Sequence, residues 1–327
     1  MNNARTDIIA LIHGQKTQTP PAFSGLIHVT AEGLQSEGLV LHEVHHDAEK
    51  LAKAAASTFQ LAGIPSAALP LDLSVEAEAL GSVLDFSHDD RFPLPVTPLV
   101  ASVKDILIPS DALTRGRLPV IQQAIANLKQ DIGAEVVISG MIPGPYTLLL
   151  LLMEPGRLFM EMKKESAVVN QVLEQLGHFL AQVGRAYINA GADFITIHDM
   201  GGSPGFIGPA KYEQFVFPAE KQLIAELPKP CVLSVCGATN KSMHLLAQTG
   251  ADAISVDQLT ELATARVILN DTLLFGNIDP VATLWQGDET QITEAVREAK
   301  AAGVDAIWPG CDLVPLTPIE NIKFLIH

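Results

Sequence analysis

Eight times along the chain a short, almost unbroken apolar run is followed by residues with helical spacing, and this alternation constrains the fold more than any other feature. The runs lie near Ala22–Gly25, Ala67–Asp72, Glu135–Met141, Asp193–Asp199, Cys231–Cys236, Ala253–Asp257, Leu273–Asp279 and Ala306–Cys311. Strands buried on both faces read this way, because neither face has to meet water. Between them, Asp47–Gln60, Leu118–Gln130, Tyr212–Ala225, Lys241–Gln248 and Glu289–Ala302 carry helical patterns. Eight such units predict an α/β protein, a (β/α)8 or TIM barrel, with residues 1–327 as one domain. The Pro- and Asp-rich stretch Leu84–Leu113 reads as an excursion after the second strand. Pro155-Gly156 reads as a break in the helical region after the third.

Composition narrows the partners. A hydrophobic content of 48% fills a large core, and 18% charged residues argues against disorder. A net charge of −16 repels nucleic acid and anionic membranes, so neither is an expected partner. The longest apolar run, Leu148–Met153, is too short to span a bilayer, and Met1–Lys16 lacks the pattern of a signal peptide. Three cysteines make no extracellular disulfide framework. The expectation is a cytoplasmic protein with reduced thiols.

In a (β/α)8 barrel, active sites gather at the C-terminal ends of the strands. Those ends carry Asp72, Pro143-Gly144-Pro145, His198-Asp199, Cys236-Gly237, Asp257, Asn277, Asp279 and Cys311-Asp312. A lone cysteine is ordinarily a small buried hydrophobe. Two of them at one barrel mouth, from different strands, come within reach of a single soft metal ion, for which Zn²⁺ is the best match. A third protein ligand is then needed, with a fourth position left open to substrate.

Here the sequence resembles the methylcobalamin:coenzyme M methyltransferases, a corrinoid-dependent branch of the uroporphyrinogen decarboxylase superfamily. The resemblance rests on the stretch Trp308 to Pro315 running on to Thr317-Pro318-Ile319-Glu320-Asn321, and on LSVCGAT (Leu233 to Thr239). It also rests on LDLSVEAEALG (Leu71 to Gly81), GPYT (Gly144 to Thr147), FGNIDP (Phe275 to Pro280) and HDAEKLAKAA (His46 to Ala55). These matches run in order along nearly the whole chain. The resemblance implies methyl transfer between a corrinoid, supplied by a partner protein, and a small acceptor or donor at a zinc ion. In that family the zinc is held by His-x-Cys and a distant Cys, so Cys236 and Cys311 inherit the cysteine roles. Ser234 stands where the family has its histidine.

His198, at the end of the neighbouring strand, is the proposed replacement; its other reading is a hydrogen bond to Asp199 or Asp257. Asp257 is a candidate catalytic residue, as a hard ligand or as the carboxylate that orients an imidazole. Asp72 reads equally as a general acid or base and as a loop-bonding carboxylate. Gly144, with Gly201 and Gly202 of the loop Gly201-Gly202-Ser203-Pro204-Gly205, is assigned to the face that a bulky corrinoid approaches, that loop being read as flexible backbone. Glu76 and Glu78 read as structural, as do Asn277 and Asp279.

Three other readings compete. His42-Glu43-Val44-His45-His46 matches the zinc-peptidase pattern H-E-x-x-H, which works only on a helix. Asp47 looks like the cap of the following helix, so the motif is expected in extended backbone, its histidines about 10–13 Å apart at about 3.3 Å per residue. The second competitor is decarboxylation of a porphyrinogen, whose many carboxylates call for arginines. FSGLIHVT (Phe23 to Thr30), where the decarboxylases carry an arginine-bearing motif, has no basic side chain other than histidine. A barrel that has lost catalysis and only binds a corrinoid or small ligand is the third possibility.

Overall fold

Seven of the eight apolar runs pair side by side into one parallel sheet in the computed structural model, which describes residues 4–88 and 91–326. The strands are β1 (Ser66–Leu69), β2 (Val137–Pro143), β3 (Phe194–Asp199), β4 (Cys231–Val235), β5 (Ala253–Val256), β6 (Leu273–Ile278) and β7 (Ala306–Pro309). Their order in the sheet is their order in the chain. Every strand residue except Asn277 is buried, as the continuous apolar runs require.

The expected strand at Ala22–Gly25 is corrected. Segment 21–28 makes one parallel bridge, Ala22 to Ile307 of β7. Facing β1 it uses side chains instead: the Ser24 amide donates to Ser66 Oγ (2.9 Å), and His28 Nε2 lies 3.0 Å from the Ser66 carbonyl. The Pro21 carbonyl and the Phe23 amide both bond to Ile307, but toward β1 the Ser24 amide is taken by a side chain, so no ladder forms on that side. The segment is wedged by packing. Phe23 meets Trp308, Phe275 and Phe194 edge-on, with ring centroids 5.2, 5.6 and 6.3 Å away. Burying a ring of this size stabilises the fold by about 1.5–3 kcal/mol. Only glycine fits at Gly25, where a Cβ would fall 2.6 Å from the Trp308 ring.

The helices cover the strands. Asp47 caps Ala48–Ala62 by accepting from the Glu49 and Lys50 amides, and Gly63 ends it with φ of 81°. Leu118–Asp131 and Glu289–Ala301 lie where the periodicity predicts, the latter with a capping box between Asp288 and Gln291. The stretch read as one helix from Tyr212 is a π-helical turn, Tyr212–Val216, leading into Phe217–Glu226. Lys241–Gln248 shrinks to short turns, Asn240–Ser242 and Met243–Leu246. Pro155 opens the helix Pro155–Lys164 after Pro145–Leu152 ends. The excursion holds a two-residue antiparallel pair, Leu84–Asp85 with Leu94–Pro95, and two short 3₁₀ turns.

Beyond β1, the helix Val75–Leu80 buries Glu76 completely. Burial first, and then the charge of Asp72, push its carboxyl up to about 8, against weaker opposing effects that include a hydrogen bond from Tyr187 and the charge of Arg117. Between the ordinary glutamate value and about 8, the folded chain keeps a proton that the unfolded chain releases. Stability therefore falls as pH rises through that window and levels off above it. Glu76→Gln should flatten this slope and raise the unfolding free energy at pH 8.5 by on the order of a few kcal/mol. Denaturant titrations at pH 5 and pH 8.5 measure it; equal pH sensitivity in wild type and variant would refute it.

Candidate metal centre

The C-terminal ends of β3, β4 and β7 deliver three soft or borderline donors to one point. His198 is the penultimate residue of β3, Cys236 follows β4 directly, and Cys311 lies just past β7. His198 Nε2 is 3.4 Å from Cys236 Sγ and 3.6 Å from Cys311 Sγ, and the two sulfurs are 2.6 Å apart. Among the described residues this is the one group of three or more His, Cys, Asp or Glu side chains whose ligand atoms converge in this way, all within 4.8 Å of one another.

The donor set fits a zinc ion. With Zn–S near 2.3 Å and Zn–N near 2.0–2.1 Å, tetrahedral ligation needs N···S separations of about 3.5 Å, which the histidine already meets. It needs S···S of about 3.8 Å, so the sulfurs must part by roughly 1 Å on a shared ion. Small side-chain rotations supply that, because both cysteines sit on loop backbone just beyond their strands.

Electrostatics favour one thiolate before any metal arrives. A hydrogen bond from the Cys236 thiol holds the Cys311 thiol well below its ordinary value against burial, with His198 adding to the effect. Burial alone would lower the His198 pKa, but Asp312 and then Cys311 outweigh it and push the ring up to about 9. Burial raises the Asp312 carboxyl to about 6, with His198 opposing.

Strand register explains how His198 comes to stand here. In the β3–β4 ladder His198 pairs directly with Ser234, and Ser234 pairs with Ser255 of β5. Residues paired in register share a face of the sheet, so His198 and Ser234 point the same way. The small Ser234 leaves room for the imidazole beside it. Ser234 Oγ itself is buried and bonds to nothing in the protein.

The carboxylates divide differently from the expectation. Asp257 accepts from the Leu259 amide at 2.9 Å and from the Gly237 amide, shaping the loops beside Cys236 rather than facing the imidazole. The carboxylate that does face it is Asp312, whose Oδ2 lies 3.6 Å from His198 Nδ1. Sequence reasoning missed this role, although Asp312 directly follows Cys311 in the same motif. Asp72 is not brought to the cluster. It is buried in a two-pronged ion pair with Arg117 (2.7 and 3.1 Å), and His45 Nδ1 lies 3.4 Å away. Burial pushes its carboxyl up, but Arg117 and His45 prevail and hold it well below the carboxylate range, so it carries no exchangeable proton near neutral pH.

The three glycines have internal partners. A Cβ on Gly144 would fall 2.6 Å from Asp199 Oδ1, and one on Gly202 would also strike Asp199. Asp199 accepts from the Gly202 amide (3.1 Å) and from Thr147 Oγ1, while the Gly201 amide donates to Thr147 Oγ1 (2.9 Å). Glu220, packed against Asp199, is pushed well up by burial and by that charge, and Tyr212 donates to it at 2.5 Å. The loop read as flexible backbone is thus fastened to a buried carboxyl pair. Glu220 and Tyr212 were invisible in the sequence, where they sit inside an ordinary helical pattern.

The H-E-x-x-H stretch is corrected as well. Leu41–Val44 forms one helical turn rather than extended backbone, and His45 is buried on Asp72 and Arg117. His46 stacks near Phe86, centroids 4.4 Å apart.

Comparison with known proteins adds to this geometry. Residues 3–327 match the family "Uroporphyrinogen decarboxylase (URO-D)". The chain is 29% identical over 317 residues to the methylcobamide:CoM methyltransferase MtbA of Methanosarcina acetivorans, covering 96% of this chain and 93% of that protein. It is 27% identical over 275 residues to a uroporphyrinogen decarboxylase of a Geobacter species, covering 81% and 79%. A solved methyltransferase from Methanosarcina mazei superposes with a TM-score of 0.95 at 27% identity, over 100% of this chain and 98% of that one.

Proposed function

The chain belongs to the uroporphyrinogen decarboxylase (URO-D) family, and from that footing we propose that it is a methyltransferase carrying a methyl group from a corrinoid to a small thiol at a zinc centre. The observation that carries the proposal is the convergence of Cys236, Cys311 and His198 at the ends of three strands. We read residues 1–327 as one (β/α)8 domain in which segment 21–28 stands in the eighth strand position, and the reduced thiols fit a cytoplasmic setting.

When bound, the metal supplies Lewis acidity that lowers the pKa of a thiol substrate, so that a thiolate is present at neutral pH. Cys236, Cys311 and His198 would hold the ion, and three protein donors would leave it able to take the thiol as well. The corrinoid would supply the methyl group and keep its bonding electron pair, while the thiol sulfur would gain the carbon and lose its proton to solvent. The chain's own contribution is placement. The Asp199–Thr147–Gly202 fastening fixes the loop beside His198. Met200, Phe206, Leu259, Val281 and Leu316 are exposed apolar side chains in the loops and short helical turns that follow β3, β5, β6 and β7. Such a rim suits the approach of a flat, largely apolar corrin ring presented by a partner protein.

Porphyrinogen decarboxylation is less well supported. Among the described residues Arg117 is the single buried arginine, and its guanidinium is committed to Asp72 and Glu78. None of it is left for substrate carboxylates.

Purified protein tested with free methylcobalamin and a panel of small thiols, coenzyme M included, should hold about one zinc per chain and methylate at least one thiol. Loss of the methylcobalamin absorbance reports the transfer. Protein that takes up no zinc on supplementation and methylates none of the thiols would sink the proposal.

A further inference from the structure

Three facts converge on Asp312. Its Oδ2 lies 3.6 Å from His198 Nδ1, and that ring nitrogen, buried inside the sheet, has no hydrogen-bonded partner at normal distance. The other ring nitrogen, Nε2, is the one aimed at the two sulfurs. Oδ1 of Asp312 is held by the Ile27 amide at 2.9 Å, so the carboxylate is anchored from the far side of the sheet's gap.

We propose that Asp312 is a positioning residue: it accepts the Nδ1 proton of His198, so that the proton the ring gives up to a metal is the one on Nε2, which is turned toward the two sulfurs. The inference rests on the zinc reading above. The chemistry is that of an imidazole, which binds a metal through one nitrogen only when the other carries the proton. A carboxylate can accept from Nδ1–H and cannot donate to it, so it selects one tautomer and rotational setting. Because Asp312 adjoins Cys311, the same loop that brings one thiolate also sets the imidazole. Ile27 fixes that loop to segment 21–28.

Asp312→Asn separates orientation from scaffolding. The amide oxygen still accepts from Ile27 N–H, so a purely structural role is preserved. The amide nitrogen, however, now donates toward Nδ1 and favours the tautomer whose proton sits on Nε2, where it blocks the metal. Zinc affinity, measured by competition with a chromophoric chelator, should fall about 10–100-fold while thermal unfolding of the metal-free protein stays unchanged. The cobalt(II)-substituted variant should show an altered ligand-field spectrum. In zinc-loaded wild type, long-range ¹H–¹⁵N NMR should find His198 protonated at Nδ1, a readout that needs no variant. Wild-type zinc affinity together with an unchanged cobalt spectrum in Asp312→Asn would overturn the inference, and so would a wild-type His198 protonated at Nε2. Wild-type protein that binds no zinc at all would instead bring down the metal reading on which it stands.

Discussion

Replacing Cys236 or Cys311 with alanine should cost the protein its zinc. Each sulfur provides one of three protein donors at a point where the ligand atoms all lie within 4.8 Å of one another. A structural zinc site is worth about 10–16 kcal/mol, so one of its ligands carries several kcal/mol and its loss weakens binding by on the order of a thousandfold or more. The two variants are not equivalent in the metal-free state. In Cys236→Ala the Cys311 thiol loses the hydrogen bond that chiefly lowers its pKa, and His198 and the Asp312 backbone amide remain to stabilise the thiolate. Elemental analysis after dialysis should give about one zinc per chain in wild type and almost none in either variant, and thiol methylation should fall in parallel. Full zinc occupancy in both alanine variants would show that the metal, if any, sits elsewhere.

The second large effect is expected at His198. His198→Ala should lower zinc affinity by about a hundredfold or more and take thiol activation down with it, whereas Ser234→Ala should be nearly silent. A neutral hydroxyl is a poor zinc ligand, and Ser234 Oγ makes no bond in the protein that its removal would break. The register pairing of His198 with Ser234 supplies a sharper test. Because the two side chains are neighbours on one face, Ser234→His in the His198→Ala background should restore part of the zinc affinity. Unchanged zinc content in His198→Ala would reject the ligand assignment, and no rescue in the double variant would mean that the two positions are not interchangeable.

The strands were legible because burial on both faces leaves a plain signature. Phe194–Asp199 and Cys231–Val235 coincide within a residue with the runs read from sequence. The run at Ala22 reads like the others, but being a strand depends on hydrogen-bond partners as well as burial, and toward β1 its Ser24 amide goes to the Ser66 side chain instead of a backbone carbonyl. The cysteines were legible because thiols at strand ends are conspicuous among aliphatic neighbours. What composition could not reveal was which carboxylate faces the imidazole. Asp257 and Asp312 stand at comparable positions, after β5 and after β7, and a 3.6 Å approach depends on how two loops fold over one another. The Asp72–Arg117 pair was hidden for a similar reason, since its members are 45 residues apart and only the packed structure brings them together.

Segment 21–28 has a consequence for how the chain comes off the ribosome. Some of its partners lie about 285 residues further along the chain: Phe23 bonds to Ile307, Ile27 to Asp312, and Ala31, just beyond the segment, to Pro315. At about 5–20 residues per second, those partners emerge some tens of seconds after the segment itself. Through that interval Phe23, Leu26 and Ile27, all buried in the finished protein, lack the β7 side of their packing. Nascent chains of this protein should therefore keep this apolar stretch without its β7-side partners until residues 307–315 have been made.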